Sequence, residues 1–435
     1  MKFYGREEEL KALDRIETES RAASRFTVVT GRRRIGKTAL VLKSVENKPH
    51  IYLFITRTNE PVLCENMQKI LTESGVEVNG RLTMVADVLK TLMLKSAETP
   101  MTLILDEFQD LRYVDESIFS QIQEVWDRYR DTSKLNLIVS GSVHSMMTRI
   151  FEDEKGPLFG RPTGKMVLRP LPVSLMRDIL ADHNPGYGKR DLLTLFYLTG
   201  GVPLYIQLLM ERGAFDHDRM LDAVLSPGSV FISDGKDTLV TEFGRDYRTY
   251  FSIMQLISSG KGRRSEIEDV LRMETGPYLD RLKNEYGFVN NIVPILTKAE
   301  TKNTRWVVSD MYLRFYFRFL YPCWSYVESG RFDLLRRSME QSLESYEGRV
   351  LEDFFRRRIS EQDTYTSVGG YWNRKGDVEI DIVVVDDIDR RCRFIEVKRN
   401  REKLDMPLLR KKSEQLLKSL DGYDIVYDGL SMDDI

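Results

Sequence analysis

The sequence has few cysteines, little net charge and no long apolar run. Its cysteines are Cys64, Cys323 and Cys392, which lie far apart without a CxxC pair, and this argues against a disulfide framework and a zinc site. A formal net charge of −2 excludes a global basic field, so any nucleic-acid-binding surface has to be local. The most apolar stretch, residues 311–327, contains two arginines and a proline and is too short to span a membrane.

What remains is the composition of an ordinary globular protein. With 42% hydrophobic and 30% charged residues, the chain is not expected to be disordered. At about 150 residues per domain, its length predicts roughly three domains. The N-terminus "MKFYGREEEL" is too charged for a signal peptide. We therefore expect a cytoplasmic protein of several domains, without a membrane partner.

A nucleotide-binding loop follows a β-branched run in "SRFTVVTGRRRIGKTALVLKSV". The loop fits the pattern G-x-x-x-x-G-K-[ST] in the strand, loop and helix context that this motif requires. Its glycines let backbone N–H groups approach phosphate oxygens, and the next helix points its positive end at them. Lys37 can reach the β- and γ-phosphates of ATP, and the Thr38 hydroxyl can ligate Mg²⁺. The predicted nucleotide-binding residues here are Gly31, Arg32, Arg33, Arg34, Ile35, Gly36, Lys37, Thr38 and Ala39.

A second apolar strand, "TPMTLILDEFQDL", ends in two acids. Paired with the loop, it predicts that Asp106 holds the Mg²⁺ through water and that Glu107 orients and deprotonates the attacking water. A third strand, "KLNLIVSGSVHSMM", ends in small polar residues. There Ser140 or Ser142 either senses the γ-phosphate or forms a plain strand-ending turn.

Six segments together carry a resemblance to a known family: "FYGREEELKAL", "GRRRIGKTAL", "LILDEFQDL", "SGSVHSMM", "GPLFGRPTGKMVLRPL" and "GGVPLYI". In this order they resemble the archaeal-type ATPases of the AAA+/STAND group of P-loop proteins. The resemblance implies that Tyr4, Gly5 and Arg6 contact adenine. It also implies a helical lid in which Pro203 packs near the nucleotide. Arg161 would reach a phosphate in cis or from a neighbouring subunit of a self-associated protein, or else is a surface arginine.

The middle of the chain predicts a winged helix. From about residue 246, three short amphipathic patterns precede two β-prone runs around a polar turn. The third pattern would be the recognition helix of a DNA-binding module, but Arg281 and Lys283 are balanced there by Asp280 and Glu285. Packing against the rest of the protein is the alternative. For the aromatic residues 311–326 we favour a domain interface over stacking on unpaired bases.

The last hundred residues predict a second metal site. A helical pattern, a strand over residues 369–387, a second strand "RRCRFIEVKRN" and a helix follow one another. This order resembles the PD-(D/E)XK nuclease superfamily. The resemblance implies that Asp381 and Glu396 bind Mg²⁺ or Mn²⁺, with the Val397 carbonyl as a further ligand. Lys398 would position the hydrolytic water, and Glu352 would be the acid of the first helix. Such hard oxygen ligands suit a metal that polarises a phosphodiester.

Two features depart from the superfamily pattern. Ile380 stands where proline commonly precedes the strand aspartate, and Glu379 adds an acid on the same face as Asp381. Glu379 is either a ligand or merely exposed. The alternatives to a metal face are a solvated sheet edge with alternating charges and a nuclease fold without activity.

Together these patterns predict an α/β protein with a P-loop core, its parallel sheet lying between helices. The expected domains are an ATPase core over residues 1–172, a helical lid over 173–240, a winged helix with the aromatic junction over 241–325 and a nuclease-like domain over 326–435. We expect ATP hydrolysis to control a metal-dependent DNase. The first alternative is a nucleotide-dependent switch or scaffold whose C-terminal domain binds DNA or protein without cutting it. The second is a chromosomal loader that binds DNA through the winged helix.

Overall fold

The computed structural model describes residues 2–244, 247–297, 301, 303–362 and 364–435. The chain divides into two compact units. The N-terminal unit is Gly5–Arg169, and the C-terminal unit is Pro170–Ile435 together with Met1–Tyr4. Within the described ranges, no helix combines the length and the apolar character needed to cross a bilayer.

The N-terminal unit is built on a five-stranded parallel sheet in the order β2-β3-β4-β1-β5. The central strands are almost entirely buried, as expected for a parallel sheet covered by helices on both faces. β4 is inserted between β1 and β3, so the carboxyl ends of these three strands meet at one edge. This confirms the predicted P-loop core. The strands are β1 (Arg25–Thr30), β2 (His50–Phe54), β3 (Met101–Asp106), β4 (Leu135–Ser140) and β5 (Gly164–Val167).

Seven helices flank this sheet in the described part of the unit. They are α1 (Glu7–Ser20), α2 (Lys37–Ser44), α3 (Glu60–Glu73), α4 (Val85–Glu98), α5 (Leu111–Val114), α6 (Ile118–Tyr129) and α7 (His144–Phe151). The apolar face of α6 shows why they pack where they do. Its buried residues Ile118, Ile122 and Trp126 recur every four positions, and Trp126 meets Phe26 of β1 with ring centroids 5.1 Å apart.

The C-terminal unit begins with helices and a short hairpin. The helices are α8 (Val173–His183), α9 (Lys189–Thr199), α10 (Pro203–Glu211), α11 (His217–Val224), α12 (Val230–Phe243), α13 (Tyr247–Ser258), α14 (Arg264–Leu271) and α15 (Gly276–Asn284). The strands β6 (Val289–Ile292) and β7 (Arg305–Val308) pair antiparallel. Three helices and a hairpin thus follow one another in the predicted order, although part of the turn between β6 and β7 lies outside the described residues. A winged-helix role for this segment stays a prediction.

Most side chains over residues 311–320 of the aromatic junction are buried, which favours packing within the protein over base stacking there, whereas Trp324–Glu328 has no buried residue. It forms α16 (Met311–Phe315), a π-helical turn (Tyr316–Leu320) and α17 (Trp324–Glu328). Phe315 stacks on Tyr197 of α9 with centroids 5.7 Å apart, and Phe317 meets Phe251 of α13 at 5.3 Å. Rings buried against these helices are not available to stack on bases.

The C-terminal domain has one more strand before and one more after the predicted pair. It comprises α18 (Phe332–Ser360), β8 (Ser367–Trp372), β9 (Glu379–Asp386), β10 (Arg391–Lys398), α19 (Met406–Leu417) and β11 (Asp424–Ser431). The sheet order is β11-β10-β9-β8, and only the β10–β11 pair is parallel among these described strands. The single strand expected over residues 369–387 is therefore wrong. The Asn373 side-chain oxygen accepts hydrogen bonds from the N–H groups of Gly376 and Val378, which closes a turn between β8 and β9.

The end of α18 holds the glycine turn that precedes α10. Arg357 donates to the carbonyl oxygens of Gly200 and Leu171 at 2.9 and 2.6 Å. Four residues on, both carboxylate oxygens of Glu361 accept the N–H of Val173 at the start of α8. One helix therefore satisfies backbone groups at the turn and at a neighbouring helix start.

Gly201 fits this turn only because it lacks a side chain. Its φ is +82°, and a Cβ would lie 2.4 Å from the Leu171 carbonyl oxygen. We expect Gly201→Ala to lower the free energy of unfolding by about 3–4 kcal/mol, because left-handed strain and a backbone clash add together. The matched control is Gly213→Ala, at φ +67° with nothing within 4 Å, for which strain alone predicts a loss of about 1–2 kcal/mol. If urea unfolding showed the same loss of unfolding free energy for both variants, the predicted clash at residue 201 would be contradicted.

Candidate functional site

The P-loop joins β1 to α2 in the geometry that its motif requires. β1 ends at Thr30, and α2 begins at Lys37. Gly31 has φ +146°, and a Cβ there would lie 2.8 Å from the Leu168 carbonyl oxygen, so no larger residue fits. Gly36 caps α2 at φ 88°. The remaining predicted residues follow in order: Arg32, Arg33, Arg34 and Ile35 lie in the loop, and Thr38 and Ala39 lie in the first turn of α2.

Lys37 is folded over this loop. Its Nζ donates to the carbonyl oxygens of Gly31 and Arg32 at 2.9 and 3.1 Å. Burial lowers the pKa of Lys37 to about 8, although the charges of Glu107 and Asp106 oppose that shift. The ammonium group thus lies where backbone N–H groups and the helix start could also face a phosphate.

Asp106 is the centre of a hydrogen-bond network at the carboxyl edge of the sheet. One of its oxygens accepts from the Thr38 hydroxyl at 2.7 Å and from the Tyr52 hydroxyl at 2.9 Å. The other accepts from the Ser140 hydroxyl at 2.5 Å and from the Glu107 N–H at 3.0 Å. Residues from β2, β3, β4 and α2 therefore converge on one carboxylate. Neighbouring carboxylate and hydroxyl oxygens are hard donors of the kind that suits Mg²⁺.

Glu107 follows directly and has an unusual backbone. Its φ is +53°, a left-handed conformation that is uncommon for a residue with a side chain. Its Oε2 accepts from the Ser142 hydroxyl at 2.8 Å and from the Gln109 side-chain amide at 2.5 Å. Of the two serines between which the sequence left a choice, Ser140 contacts Asp106 and Ser142 contacts Glu107. Ser140 thus contacts the acid predicted to hold Mg²⁺, and Ser142 contacts the predicted general base.

The residues predicted to contact adenine divide between the two units. In the N-terminal unit, Arg6 donates to the Arg169 carbonyl oxygen at 2.6 Å and forms an ion pair with Glu9 at 2.9 Å, and Gly5 has φ +67°. In the C-terminal unit, the Tyr4 hydroxyl donates to Asp182 at 3.0 Å. Pro203 is the first residue of α10, directly after the glycine turn. Adenine contact by these residues stays a prediction.

Arg161 lies at the other end of β1 from the P-loop. Its guanidinium forms an ion pair with Asp127 at 3.0 Å and donates to the Phe159 carbonyl oxygen at 2.9 Å. Two residues on, the Thr163 N–H bonds to the Phe26 carbonyl near the start of β1, whereas the P-loop follows the end of that strand. Within its own chain Arg161 therefore faces Asp127 and not the loop. Phosphate contact from a neighbouring copy stays a prediction.

A second polar centre lies where β9 meets β10. Ile382 pairs with Ile395 in the antiparallel ladder. Asp381 precedes the first and Glu396 follows the second, so these two acids lie opposite each other on one face of the sheet. Lys398 lies between their carboxylates, with its Nζ 3.4 Å from Asp381 and 3.2 Å from Glu396. Burial alone would lower the pKa of Lys398, but the charges of Asp381 and Glu396 outweigh it, and the pKa is raised.

Backbone groups fix both carboxylates of this centre. The Val397 N–H donates to Asp381 at 2.8 Å, and the Asp405 N–H donates to Glu396 at 2.8 Å. The Val397 carbonyl oxygen also accepts from Lys398 at 3.2 Å. Glu396 is only 4% exposed, so its charge is held away from bulk water. A buried carboxylate such as Glu396, next to the partly exposed Asp381, requires a nearby cation, and Lys398 supplies one here.

Glu352 on α18 interacts electrostatically with the same centre. Burial raises its pKa, and the charges of Asp381 and Asp353 raise it further. The adjacent Arg356 donates to the Asp381 carbonyl oxygen at 2.9 Å and to Asp353 at 3.0 Å. The predicted helix acid thus lies near enough to Asp381 for their charges to interact.

Glu379, the extra acid, has a different partner. It forms an ion pair with Arg305 of β7 at 2.6 Å and is half-exposed. The sequence left open whether Glu379 is a metal ligand or merely exposed, and this geometry fits an exposed residue. Across the described ranges, no group of three or more His, Cys, Asp or Glu side chains is arranged to hold a metal ion. Of the predicted carboxylates, the structure brings Asp381 and Glu396 together through Lys398.

Sequence reasoning missed two residues of the first centre, Tyr52 and Gln109. Burial and then the hydrogen bond to Asp106 raise the pKa of Tyr52, so its hydroxyl remains a donor. Gln109 is 1% exposed and donates to Glu107. The parallel register pairs Phe54 with Asp106, which places Tyr52 two residues back on the same face. This placement of Tyr52 depends on β2 lying beside β3 in the sheet, which the sequence alone does not show.

Comparison with known proteins gives two family matches. Residues 3–209 match the model of an ATPase domain found predominantly in Archaea. Residues 316–413 match a model of archaeal and bacterial proteins of unknown function. The uncharacterized protein MJECL04 of Methanocaldococcus jannaschii is 27% identical over 445 residues, which cover 98% of this chain and 94% of that protein.

Two solved structures share the fold. The Walker-type ATPase PABY2304 of Pyrococcus abyssi superposes with a TM-score of 0.55 at 19% identity, covering 72% of this chain and 96% of that one. The ORC2 protein of Aeropyrum pernix, solved in ADPNP and ADP complexes, gives 0.53 at 16% identity, covering 78% and 96%. Residues 3–209 are thus similar to an archaeal-type ATPase domain, and residues 316–413 are similar to a domain of archaeal and bacterial proteins of unknown function.

Proposed function

We propose that the N-terminal unit binds and hydrolyses Mg²⁺-ATP, and that this controls a metal-dependent nuclease site on DNA in the C-terminal domain. The observation that carries the proposal is the convergence of Asp381, Glu396 and Lys398 in a chain that also has a complete P-loop with Asp106 and Glu107. Two phosphate-handling centres in one chain favour a nucleotide-controlled enzyme.

In the ATPase site, the roles follow from the contacts. Lys37 exchanges the carbonyl oxygens of its own loop for the β- and γ-phosphates. Thr38 and Asp106 are the residues that would hold Mg²⁺, which offsets phosphate charge. Glu107 accepts a proton from the attacking water, while Ser142 and Gln109 keep its carboxylate in place.

In the C-terminal site, Asp381 and Glu396 are the residues that would hold Mg²⁺ or Mn²⁺. Their carboxylates, with the adjacent Val397 carbonyl, are hard oxygen donors, so the residues present fit such an ion. The metal would polarise a phosphodiester of DNA. Lys398 would hold the attacking water next to the phosphorus atom and offset the charge that builds on the phosphate.

A non-cleaving switch or scaffold is the second candidate. Lys398 already neutralises Asp381 and Glu396, and the described residues hold no group of three acids that could bind a metal. Such a domain would bind DNA or protein according to the nucleotide state and cut nothing. We prefer the nuclease because Glu352 is also close enough to Asp381 for their charges to interact. Among the described residues, Glu352 forms no ion pair that would hold it outside the site.

The test is a cleavage assay with the full chain. Supercoiled, linear and single-stranded DNA are incubated with Mg²⁺ or Mn²⁺, with and without ATP, and released phosphate is measured in parallel. We expect cutting that requires the metal and changes with ATP. ATP hydrolysis without any cutting would instead support the switch.

A further inference from the structure

Four hydrogen-bond donors converge on the Asp106 carboxylate. The hydroxyls of Thr38 and Tyr52 contact one of its oxygens, at 2.7 and 2.9 Å. The Ser140 hydroxyl and the Glu107 N–H contact the other oxygen, at 2.5 and 3.0 Å. An ionised carboxylate offers about four lone-pair positions, two on each oxygen, so these donors match its whole capacity. A water bound to Mg²⁺ can therefore reach Asp106 only by replacing one of them.

All but one of these donors are held in place. The Glu107 N–H belongs to the peptide that joins this residue to Asp106, so it stays beside the carboxylate. Ser140 is completely buried at the end of β4, between β3 and β1. Thr38 is a proposed metal residue, and its hydroxyl oxygen can face an ion while its hydrogen still points to Asp106. Replacement thus falls to the remaining donor.

Tyr52 is the donor that can leave. It lies on β2, which is an edge strand and pairs with β3 alone in the described sheet. Its side chain is only partly buried, unlike those of Ser140 and Asp106. Rotation of the tyrosine side chain moves the hydroxyl away from the carboxylate without disturbing the strand. A partly exposed hydroxyl can then hydrogen-bond to water, so the exchange costs little free energy.

We propose that Tyr52 is a positioning residue that competes with metal-bound water for the Asp106 carboxylate. Without the ion, its hydroxyl holds the buried carboxylate in the observed orientation. When Mg²⁺-ATP binds, the hydroxyl turns away and leaves its place on that oxygen to a water of the ion. Tyr52 thereby weakens the binding of Mg²⁺-ATP relative to that of metal-free ATP. This inference rests on the proposed ATPase function and assigns control of its metal dependence to a residue of β2.

The test is Tyr52→Phe, which keeps the ring and removes the hydroxyl alone. The Kd of a fluorescent, non-hydrolysable ATP analogue is measured in EDTA and again in excess Mg²⁺. We expect the ratio of the two Kd values, EDTA over Mg²⁺, to rise about five- to tenfold in the variant, the equivalent of one net hydrogen bond. The matched control is Tyr129→Phe on α6. It removes a hydroxyl that is not among the donors to Asp106, so the ratio should not change.

Urea unfolding gives a second readout. In EDTA, Tyr52→Phe should unfold at a lower urea concentration than the wild type, because the Asp106 carboxylate has lost a donor. With saturating analogue and Mg²⁺ the difference should disappear, because the wild-type hydroxyl has already left the carboxylate. A purely structural hydrogen bond would cost the variant the same stability under both conditions, and that result would overturn the proposal.

The outcomes separate this inference from the proposed function. An equal ratio in Tyr52→Phe and the wild type, with the analogue bound by both, would reject the competition and leave the ATP site intact. A lower ratio in Tyr52→Phe would show that the hydroxyl supports the bound ion, which also rejects the competition. If the wild type bound no analogue under either condition, the proposed ATPase function would fail and the inference with it.

Discussion

Replacing Glu107 with glutamine is expected to lower ATP turnover by about 100- to 10,000-fold while ATP binding persists. Glutamine has the same shape, so Ser142 can still contact its side-chain oxygen. It cannot accept a proton from water at neutral pH. The phosphate-binding atoms of the P-loop and Lys37 are unchanged, so the affinity for nucleotide should change little.

Glu124→Gln is the matched control, because Glu124 is exposed on α6 and only forms an ion pair with Arg128. Released phosphate gives the turnover, and a fluorescent ATP analogue gives the affinity. Equal turnover in the Glu107 variant and the control would reject Glu107 as the general base. Loss of binding in the Glu107 variant would instead point to damage at its left-handed backbone.

In the C-terminal site, Asp381→Asn removes a proposed metal ligand and Lys398→Ala removes the positive charge beside the reacting phosphate. Each is expected to lower DNA cleavage by about 100- to 1,000-fold. Asparagine preserves the contact with the Val397 N–H but loses the charge. Alanine at 398 leaves Glu396 buried without its cation, so the fold of that variant has to be checked by circular dichroism.

The strand itself supplies the control. Glu379 lies two residues before Asp381 on the same face, but it forms an ion pair with Arg305 and is half-exposed. Glu379→Gln should therefore cut at the wild-type rate. If it lost as much activity as Asp381→Asn, the centre would have to be extended to the exposed acid, and the present assignment would be wrong.

The sequence sufficed for sites whose residues are neighbours along the chain. The P-loop is one unbroken segment whose glycines are required by its own backbone, and Asp106 ends a buried strand. Alternation placed Asp381 and Glu396 each on a defined face of its strand, and their pairing came from the resemblance to the nuclease superfamily. Local rules of this kind hold wherever the fold does not override them.

Partners that meet only in three dimensions were not accessible in this way. Nothing near Tyr52 in the sequence indicates that β2 lies beside β3 and brings its hydroxyl to Asp106. The Asp127 carboxylate that engages Arg161 is more than thirty residues away along the chain. The Asn373 turn was missed for another reason, because its flanks read as one apolar strand and a single side-chain oxygen decides the reversal.

The contacts of α18 also limit how this domain can vary in length. Asp353 forms an ion pair with Arg314, and three residues later Arg356 donates a hydrogen bond to the Asp381 carbonyl oxygen. One residue inserted between Asp353 and Arg356 would turn the rest of the helix by about 100° and advance it by about 1.5 Å. The ion pair and the hydrogen bond could then not both persist. We therefore expect related chains to differ here by substitution alone. Insertions and deletions should fall instead in exposed turns such as residues 387–390 between β9 and β10.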